Sequence, residues 1–316
     1  GRVSSLFVYP MSFDEFLTAT GQEGLLRTKR NSSPMNPLPE AFYNRLVEAF
    51  RSYMLVGGMP EAVATYTETG SYRYSSDIVN EIIQGYQDDF AKYGAKANPL
   101  LLRQTLISVA HQAGAKFVYS RVEGQYRSAE VKVALEMLKD AGLIIPTYHT
   151  DANGVPLGAE INERVVKYLI HDTGVLLGIL GIDDDIDDSI KEMMVADSID
   201  LVDKGHVAEM MAGLELVKYS SPQKRHQLYY WQNMNKGTCA EVDYVIARSG
   251  SIVPIEVKSG VKGSMSSMYS LMRNPQKHIE MGIRCSLENF GTFESPDGKK
   301  IDIIPLYAIS NLFAEK

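Results

Sequence analysis

The sequence predicts an α/β multidomain chain, and three observations carry that expectation. Its 316 residues are enough for two or three domains with buried cores. The first half places apolar residues at helical spacing between Gly and Pro interruptions. The last third changes to short β-branched and aromatic runs that alternate with polar residues around a Gly-containing turn. At 45% hydrophobic and 22% charged, the composition is that of an ordinary globular protein.

The chain opens on a strand-like run from Gly1 to Tyr9, without Met, and passes through Pro10-Met11-Ser12-Phe13-Asp14-Glu15-Phe16 into a helix start. This reads as a cut inside a larger protein. Asn31 to Pro39 contains three prolines and reads as a loop. Glu40 to Leu55 is an amphipathic helix with Phe42, Leu46, Phe50 and Met54 near one face, ended by Gly57-Gly58-Met59-Pro60. Ile78 to Tyr93 is another helix, on which Asp88 and Asp89 form a solvated face.

Leu100 to Tyr148 has the pattern of a winged helix-turn-helix. Leu101 to Gln112 is its first helix, and Ser128 to Ala141 its recognition helix, with Ser128 as N-cap and Val131, Leu135 and Leu138 as the buried stripe. Gly142 stops that helix. The wing begins at Leu143 to Tyr148 and returns through Gly154-Val155-Pro156. Arg127, Lys132 and Lys139 are available to a DNA major groove. Glu130, Glu136 and Asp140 oppose them, which suits protein docking or packing at least as well as phosphate binding. Further on, Asp172 is placed to cap a helix starting near Thr173-Gly174. The acidic run from Asp183 to Asp188 lacks the Gly and Glu spacing of a calcium loop, and suits a helix N-terminus.

The run Ala240-Glu241-Val242-Asp243-Tyr244-Val245-Ile246-Ala247, a Ser249-Gly250 turn, and Ile252-Val253-Pro254-Ile255-Glu256-Val257-Lys258 reads as a β-hairpin. Alternation puts Val242, Tyr244 and Ile246 on one face and Glu241 and Asp243 on the other, with Glu256 and Lys258 likewise paired on one face. Two carboxylates and an ammonium facing a core are costly unless compensated, and a divalent cation compensates them. Mg²⁺ suits such hard oxygen ligands. The competing reading is an exposed strand face with a cross-strand ion pair, worth about 0.2–1 kcal/mol.

Several function classes lack their marks. The net charge of −7 gives no global basic footprint, so nucleic acid needs local patches such as Lys218 with Lys224-Arg225-His226, or Lys258 with Lys262, each also readable as a solvated face. Cys239 and Cys285 are too few for a disulfide framework and lack metal-ligand spacing, so reduced thiols in the cytoplasm are expected. No apolar run approaches the ~18 residues of a membrane span, and no signal peptide begins the chain. A Gly-x-Ser-x-Gly hydrolase elbow and a Gly-x-x-x-x-Gly-Lys-Ser/Thr phosphate loop are both absent. Tyr229, Tyr230 and Trp231 read as core and strand-pairing residues.

Asp243 followed by Glu256-Val257-Lys258 resembles the PD-(D/E)xK nuclease superfamily, with Val242 where that family often has Pro. The resemblance implies a restriction-endonuclease-like α/β domain with a mixed central sheet. Its first helix is expected from Asp197 to Lys218 and carries Glu209 as an additional ligand. Gln227 to Gln232 would be the first strand, Ser266 to Arg273 a second helix, and Ile283 to Leu287 and Ile301 to Ile309 later strands. It implies Glu209, Asp243 and Glu256 as Mg²⁺ ligands, Asp243, Glu256 and Lys258 as the catalytic set, and Glu241 as a reserve ligand.

A broader resemblance rests on Gly1-Arg2, the Ser12-Phe13 helix start, Gly57-Gly58-Met59-Pro60-Glu61, Lys167 to Gly174, Ala240 to Tyr244 and Ile255 to Lys258. It is to the C-terminal half of prokaryotic AAA-type ATPases that join a P-loop domain to a winged helix and a domain of unknown function. ATP would then belong to the missing N-terminal part, and Arg2 would be a leftover sensor or a structural residue. The implied divisions are 1–96 for the end of the ATPase module and a helical linker, 97–160 for the winged helix, 161–196 for a connecting helical segment, and 197–316 for the nuclease-like domain. Implied partners are DNA, the ATPase domain of the same protein, and further copies in a homo-oligomer. Two functions remain in play: metal-dependent cleavage of nucleic acid, and a catalytically silent effector that binds DNA or protein and is coupled to the ATPase.

Overall fold

The computed structural model describes residues 4–92, 98–181, 205–233, 240–260 and 263–313. Helices fill the first part: α1 (Phe13–Ala19), α2 (Glu23–Arg30), α3 (Glu40–Val56), α4 (Pro60–Thr69) and α5 (Tyr72–Lys92). Ser12 starts α1 through a capping box, accepting from the Glu15 N–H while the Glu15 carboxylate accepts from the Ser12 N–H at 2.7 Å. In α3, Leu46, Phe50 and Met54 are buried as the spacing predicts, whereas Phe42 is exposed at the start of the helix. Gly58 follows because a Cβ there would collide with the Met11 carbonyl oxygen.

The next unit is α6 (Pro99–His111), α7 (Ser128–Asp140), β1 (Ile144–Thr150) and β2 (Ile161–Ile170), followed by α8 (Thr173–Ile179). The cap of α7 is Arg127, not Ser128: the Glu130 carboxylate accepts from the Arg127 N–H at 2.8 Å, and Ser128 is the first helical residue. Residues 161–170, expected within a connecting helical segment, form β2, antiparallel to β1 from Ile144↔Ile170 to Thr150↔Ile161. Their run Val165-Val166-Lys167-Tyr168-Leu169-Ile170 is buried throughout, which favours β-branched and aromatic residues in a strand. Asp172 caps α8, accepting from the Val175 N–H at 3.1 Å and also from the Gly58 N–H at 2.6 Å.

The last part contains α9 (Gly205–Lys218), β3 (Leu228–Gln232), β4 (Glu241–Val242), β5 (Tyr244–Arg248), β6 (Ser251–Val257), α10 (Ser266–Arg273), β7 (Met281–Ser286), β8 (Gly291–Glu294) and β9 (Lys300–Pro305). Two sheets result, in the orders β2-β1-β3-β4 and β5-β6-β7-β9-β8. Both are mixed: β1 and β3 run parallel, as do β6, β7 and β9, while the remaining pairs are antiparallel. The β1–β2 hairpin is therefore continuous with the strands that follow α9. β8 has no counterpart in the sequence reading, and the stretch expected to be a strand to Ile309 leaves the sheet at Pro305 for a 3-10 segment, Leu306–Leu312.

Helix α9 is buried from Val207 to Val217, consistent with a helix apolar on nearly every side. It packs between both sheets and the 3-10 segment. The N-terminal helices close over the same core. Lys29, fully buried, pairs with Asp14 and donates to Ser310 Oγ at 2.6 Å, joining α2 to the C-terminal segment. Tyr53 on α3 donates to Glu215 Oε1 at 2.9 Å on α9. Among the described residues no helix is long and apolar enough to cross a membrane.

Candidate acidic site at the junction of two sheets

Asp243 sits where one strand becomes two. Before it, Glu241 and Val242 pair with Gln232 and Trp231 of β3. After it, Tyr244 to Arg248 pair with Ile255 to Ser251 of β6. The bend corrects the expected alternation. Val242 and Val245 pack in one apolar cluster with Ile252 and α10, whereas Tyr244 packs in the other with Val253, Ile255, Val257 and α9. Val242 and Tyr244 thus lie on opposite sides, because Asp243 interrupts the pleat between them.

The Asp243 carboxylate is held by the main chain of the neighbouring strand, accepting from the Val257 N–H at 2.7 Å. That bond places it between Glu256 and Lys258. Lys258 Nζ donates to Glu256 Oε1 at 2.7 Å. The second oxygen, Glu256 Oε2, is buried without a hydrogen-bond partner. An orphaned carboxylate oxygen in a buried setting is costly and marks a place where a proton or cation is wanted.

Glu209 reaches the same region from α9, and here the structure supplies a residue that the sequence reading did not single out. Lys167 of β2 is 1% exposed and donates to Glu209 Oε1 at 2.8 Å and to Glu241 Oε1 at 2.5 Å. Its ammonium also lies 4.9 Å from the centroid of the Tyr230 ring. The one signal in the sequence was a lone Lys inside an apolar strand run. Glu241, the reserve ligand, is therefore engaged by Lys167, and Glu209 is too.

The electrostatics follow from this crowding. Burial, with a smaller contribution from the charges of Asp243 and Glu241, raises the Glu209 carboxyl to about 8 despite Lys167. Burial and then the Asp243 charge raise Glu256 to about 7. Burial also raises Asp243, against its Val257 hydrogen bond and the two lysines. Burial acts to lower Lys167, but the two carboxylates outweigh it and hold the ammonium protonated well above its ordinary range. Four carboxylates thus share two ammonium groups. Among the described residues no three His, Cys, Asp or Glu side chains form a ready-made metal cage.

The remaining sequence candidates fall elsewhere. Lys218 is not part of a basic surface: it is buried and donates to Tyr53 Oη at 2.5 Å and to the Met11 carbonyl at 3.0 Å. Arg225 pairs with Asp140 at 3.2 Å, and Lys139 with Glu136. Asp89 pairs with Lys92 on an exposed helix face. Tyr230 and Trp231 are buried, as expected of core residues. Cys285 is buried on β7, its thiol pushed up to about 12 by burial. Arg2, the run Asp183 to Asp188, the expected start of the Glu209 helix at Asp197, Cys239 and Lys262 lie outside the described residues.

Residues 47–186 match the family described as Domain of unknown function (DUF8612). Residues 204–309 match that described as Domain of unknown function (DUF4143), a domain typically found in AAA-ATPase-associated proteins. No curated protein and no solved structure matches the chain.

Proposed function

We propose that the acidic site binds one Mg²⁺ ion and hydrolyses phosphodiester bonds of nucleic acid, in a protein whose ATP-driven part lies outside this chain. The observation that carries the reading is the buried, partnerless Glu256 Oε2 beside Asp243. Mg²⁺ asks for one or two carboxylates and fills its remaining positions with water and phosphate oxygens, so a closed protein cage is not required. When all groups are ionised, four carboxylates against two ammoniums leave an excess of two negative charges, the complement of one divalent cation. The order α9, β3, β4–β5, β6, α10, β7 also follows the helix–strands–helix–strand order that the PD-(D/E)xK resemblance implies.

In this reading Asp243 and Glu256 would hold the ion, with Glu209, whose Oε1 is held by Lys167, as the additional ligand. A divalent ion held there would supply polarisation of a phosphoryl oxygen and a lowered pKa for its bound water. The Val257 N–H fixes the orientation of Asp243. Lys258 keeps its ammonium at Glu256 and is placed to stabilise negative charge developing on the phosphate. The winged-helix-like unit, continuous with β3 through β1, would present the duplex.

A second reading, a catalytically silent effector that binds DNA or protein and is coupled to an ATPase, is favoured by the Lys167 bridge, which already neutralises Glu209 and Glu241. Calorimetric titration with Mg²⁺ and Mn²⁺ separates the two. Saturable binding that disappears in Asp243→Ala, together with plasmid nicking lost in Lys258→Ala, supports hydrolysis. Equal, weak metal binding by wild type and Asp243→Ala overturns it and leaves the effector.

A further inference from the structure

Two buried, oppositely charged side chains stand side by side on the β5-β6-β7-β9-β8 sheet without meeting. Glu256 of β6 and Arg284 of β7 are partners in a parallel pair, so their side chains rise from the same face. Their neighbours Ile255, Val257, Ile283 and Cys285 all pack in the apolar cluster of the opposite face, with α9. Glu256 and Arg284 are each 5% exposed. A carboxylate and a guanidinium so placed can form one of the strongest charge-assisted pairs open to a protein. Yet Glu256 Oε2 has no hydrogen-bond partner among the described residues.

Arg284 is turned elsewhere. Its Nε donates to Glu288 Oε2 at 2.7 Å, and its Nη2 donates to the Gly260 carbonyl at 2.7 Å. Glu288 is itself anchored, because Ser286 Oγ donates to the same Oε2 at 2.8 Å and accepts from the Glu288 N–H at 3.2 Å. The Glu288 side chain is 19% exposed against 6% for Glu256, so burial opposes its ionised form less. The Gly260 bond has a second effect. The chain leaves β6 at Lys258, whose N–H donates to the Cys285 carbonyl at 2.7 Å, and Arg284 ties it down again two residues later. One guanidinium thus secures the strand exit that carries Lys258 while its charge is directed to Glu288.

We infer that Glu288 is a positioning residue of the acidic site: it draws Arg284 away from Glu256 and so keeps one carboxylate oxygen open to an added cation. This rests on the reading that Asp243 and Glu256 take a divalent ion, and adds what stops the protein's own arginine from taking that place. Without Glu288 the guanidinium loses its carboxylate, and Glu256 is the strand neighbour that can replace it. Arginine and metal then compete for the same oxygen. Removing Arg284 together with Glu288 removes the competitor, so cation binding should recover. A purely structural Glu288 gives the opposite pattern, in which the second substitution adds its loss to the first.

The test is calorimetric titration of the whole chain with Mn²⁺, in wild type, Glu288→Ala, Arg284→Met and the double mutant. Glu288→Ala should bind roughly tenfold more weakly than wild type, the equivalent of one charge-assisted bond that the ion must displace. Arg284→Met should bind no more weakly than wild type, and the double mutant should return to within about threefold of it. Equal binding by wild type and Glu288→Ala overturns the inference, as does a double mutant weaker than Glu288→Ala. A metal-free comparison separates this from the hydrolysis reading. In EDTA, Glu256→Gln should lower the urea midpoint more in the Glu288→Ala background, where it strands Arg284, than in wild type. The same shift in both backgrounds overturns the inference whether or not wild type binds Mn²⁺, whereas absence of Mn²⁺ binding by wild type overturns the hydrolysis reading. Should Glu288→Ala fail to fold, Glu288→Gln removes the charge but keeps the shape and an acceptor for Ser286, and the same two comparisons apply.

Discussion

Lys167 Nζ lies 2.8 Å from Glu209 Oε1, and through that contact a strand of one sheet is fastened to the helix beneath the other. The same ammonium holds Glu241, so β2, α9 and β4 meet at a single buried cation. Any movement of the β1–β2 hairpin is therefore felt at the acidic site, through one side chain that cannot leave without stranding two carboxylates.

Replacing Lys167 by Met removes the cation and leaves Glu209 buried without a counter-charge. Breaking one partner of a buried pair costs about 3–5 kcal/mol, whereas removing both is far milder. Urea unfolding of Lys167→Met should show a loss of that size, and Lys167→Met with Glu209→Gln should recover much of it. A single mutant within about 1 kcal/mol of wild type would mean that a proton on Glu209, whose carboxyl is raised to about 8, replaces the lost counter-charge.

The Lys29–Asp14 pair makes a different claim, about how much of the chain unfolds together. Lys29 is fully buried and is also bound by Ser310, on the 3-10 segment that packs against α9. Burial lowers its pKa, opposed chiefly by Asp14. Lys29→Met leaves Asp14 with only the more exposed Arg30 at 3.1 Å as counter-charge, and should cost about 3 kcal/mol. Because the contact joins the two ends of the chain, hydrogen exchange should rise in α9 and the Leu306–Leu312 segment as well as in α1 and α2. Faster exchange confined to α1 and α2 would show that the N-terminal helices open alone.

Gly213 of α9 packs directly against the Tyr244 side chain of β5. A Cβ there would collide with Tyr244 Oη and lie 2.6 Å from Leu169 Cδ1. Gly213→Ala overpacks this contact and should destabilise by about 1–3 kcal/mol despite the better helix propensity of Ala. Tyr244→Phe removes the hydroxyl that the added methyl group would strike, together with its hydrogen bond to the Glu209 carbonyl. The double mutant should therefore be less destabilised than the sum of the singles, a coupling that denaturation of all four species measures directly.

Helix and strand identity was largely legible from period. The helix over Ser266 to Arg273 and the hairpin around Ser249-Gly250 form where alternation and turn chemistry place them. What local pattern could not show was the break at Asp243. A bend that hands one strand to two sheets depends on what lies across it, here Trp231 on one side and Ile255 on the other. Lys167 was hidden for a related reason: its partners are 42 and 74 residues away, and a single Lys in an apolar strand carries no address for them. Lys218 misled in the opposite way. In sequence it adjoins Lys224 and Arg225, yet it closes over Tyr53 and Glu215 from α3 and α9.

The raised carboxyls give the acidic site a pH signature. Glu256 at about 7 and Glu209 at about 8 both stand above the ordinary value of 4.5. Between roughly pH 4.5 and 8 the folded protein holds protons that the unfolded chain has released, so these two groups lose stabilising effect as pH rises through that window. His171 and His226, lowered first by burial, act in the opposite sense below their ordinary value of 6.5. Comparison with Glu256→Gln isolates the carboxyl contribution. The urea midpoint of wild type should fall from pH 6.5 to 8.5 more steeply than that of the mutant. A divalent cation bound at Asp243 and Glu256 must displace the proton on Glu256, so Mg²⁺ should raise the wild-type midpoint more at pH 8.5 than at pH 6.5, and Glu256→Gln should abolish the difference. A Mg²⁺ effect that is independent of pH, or that survives the substitution, would place the ion elsewhere on the protein.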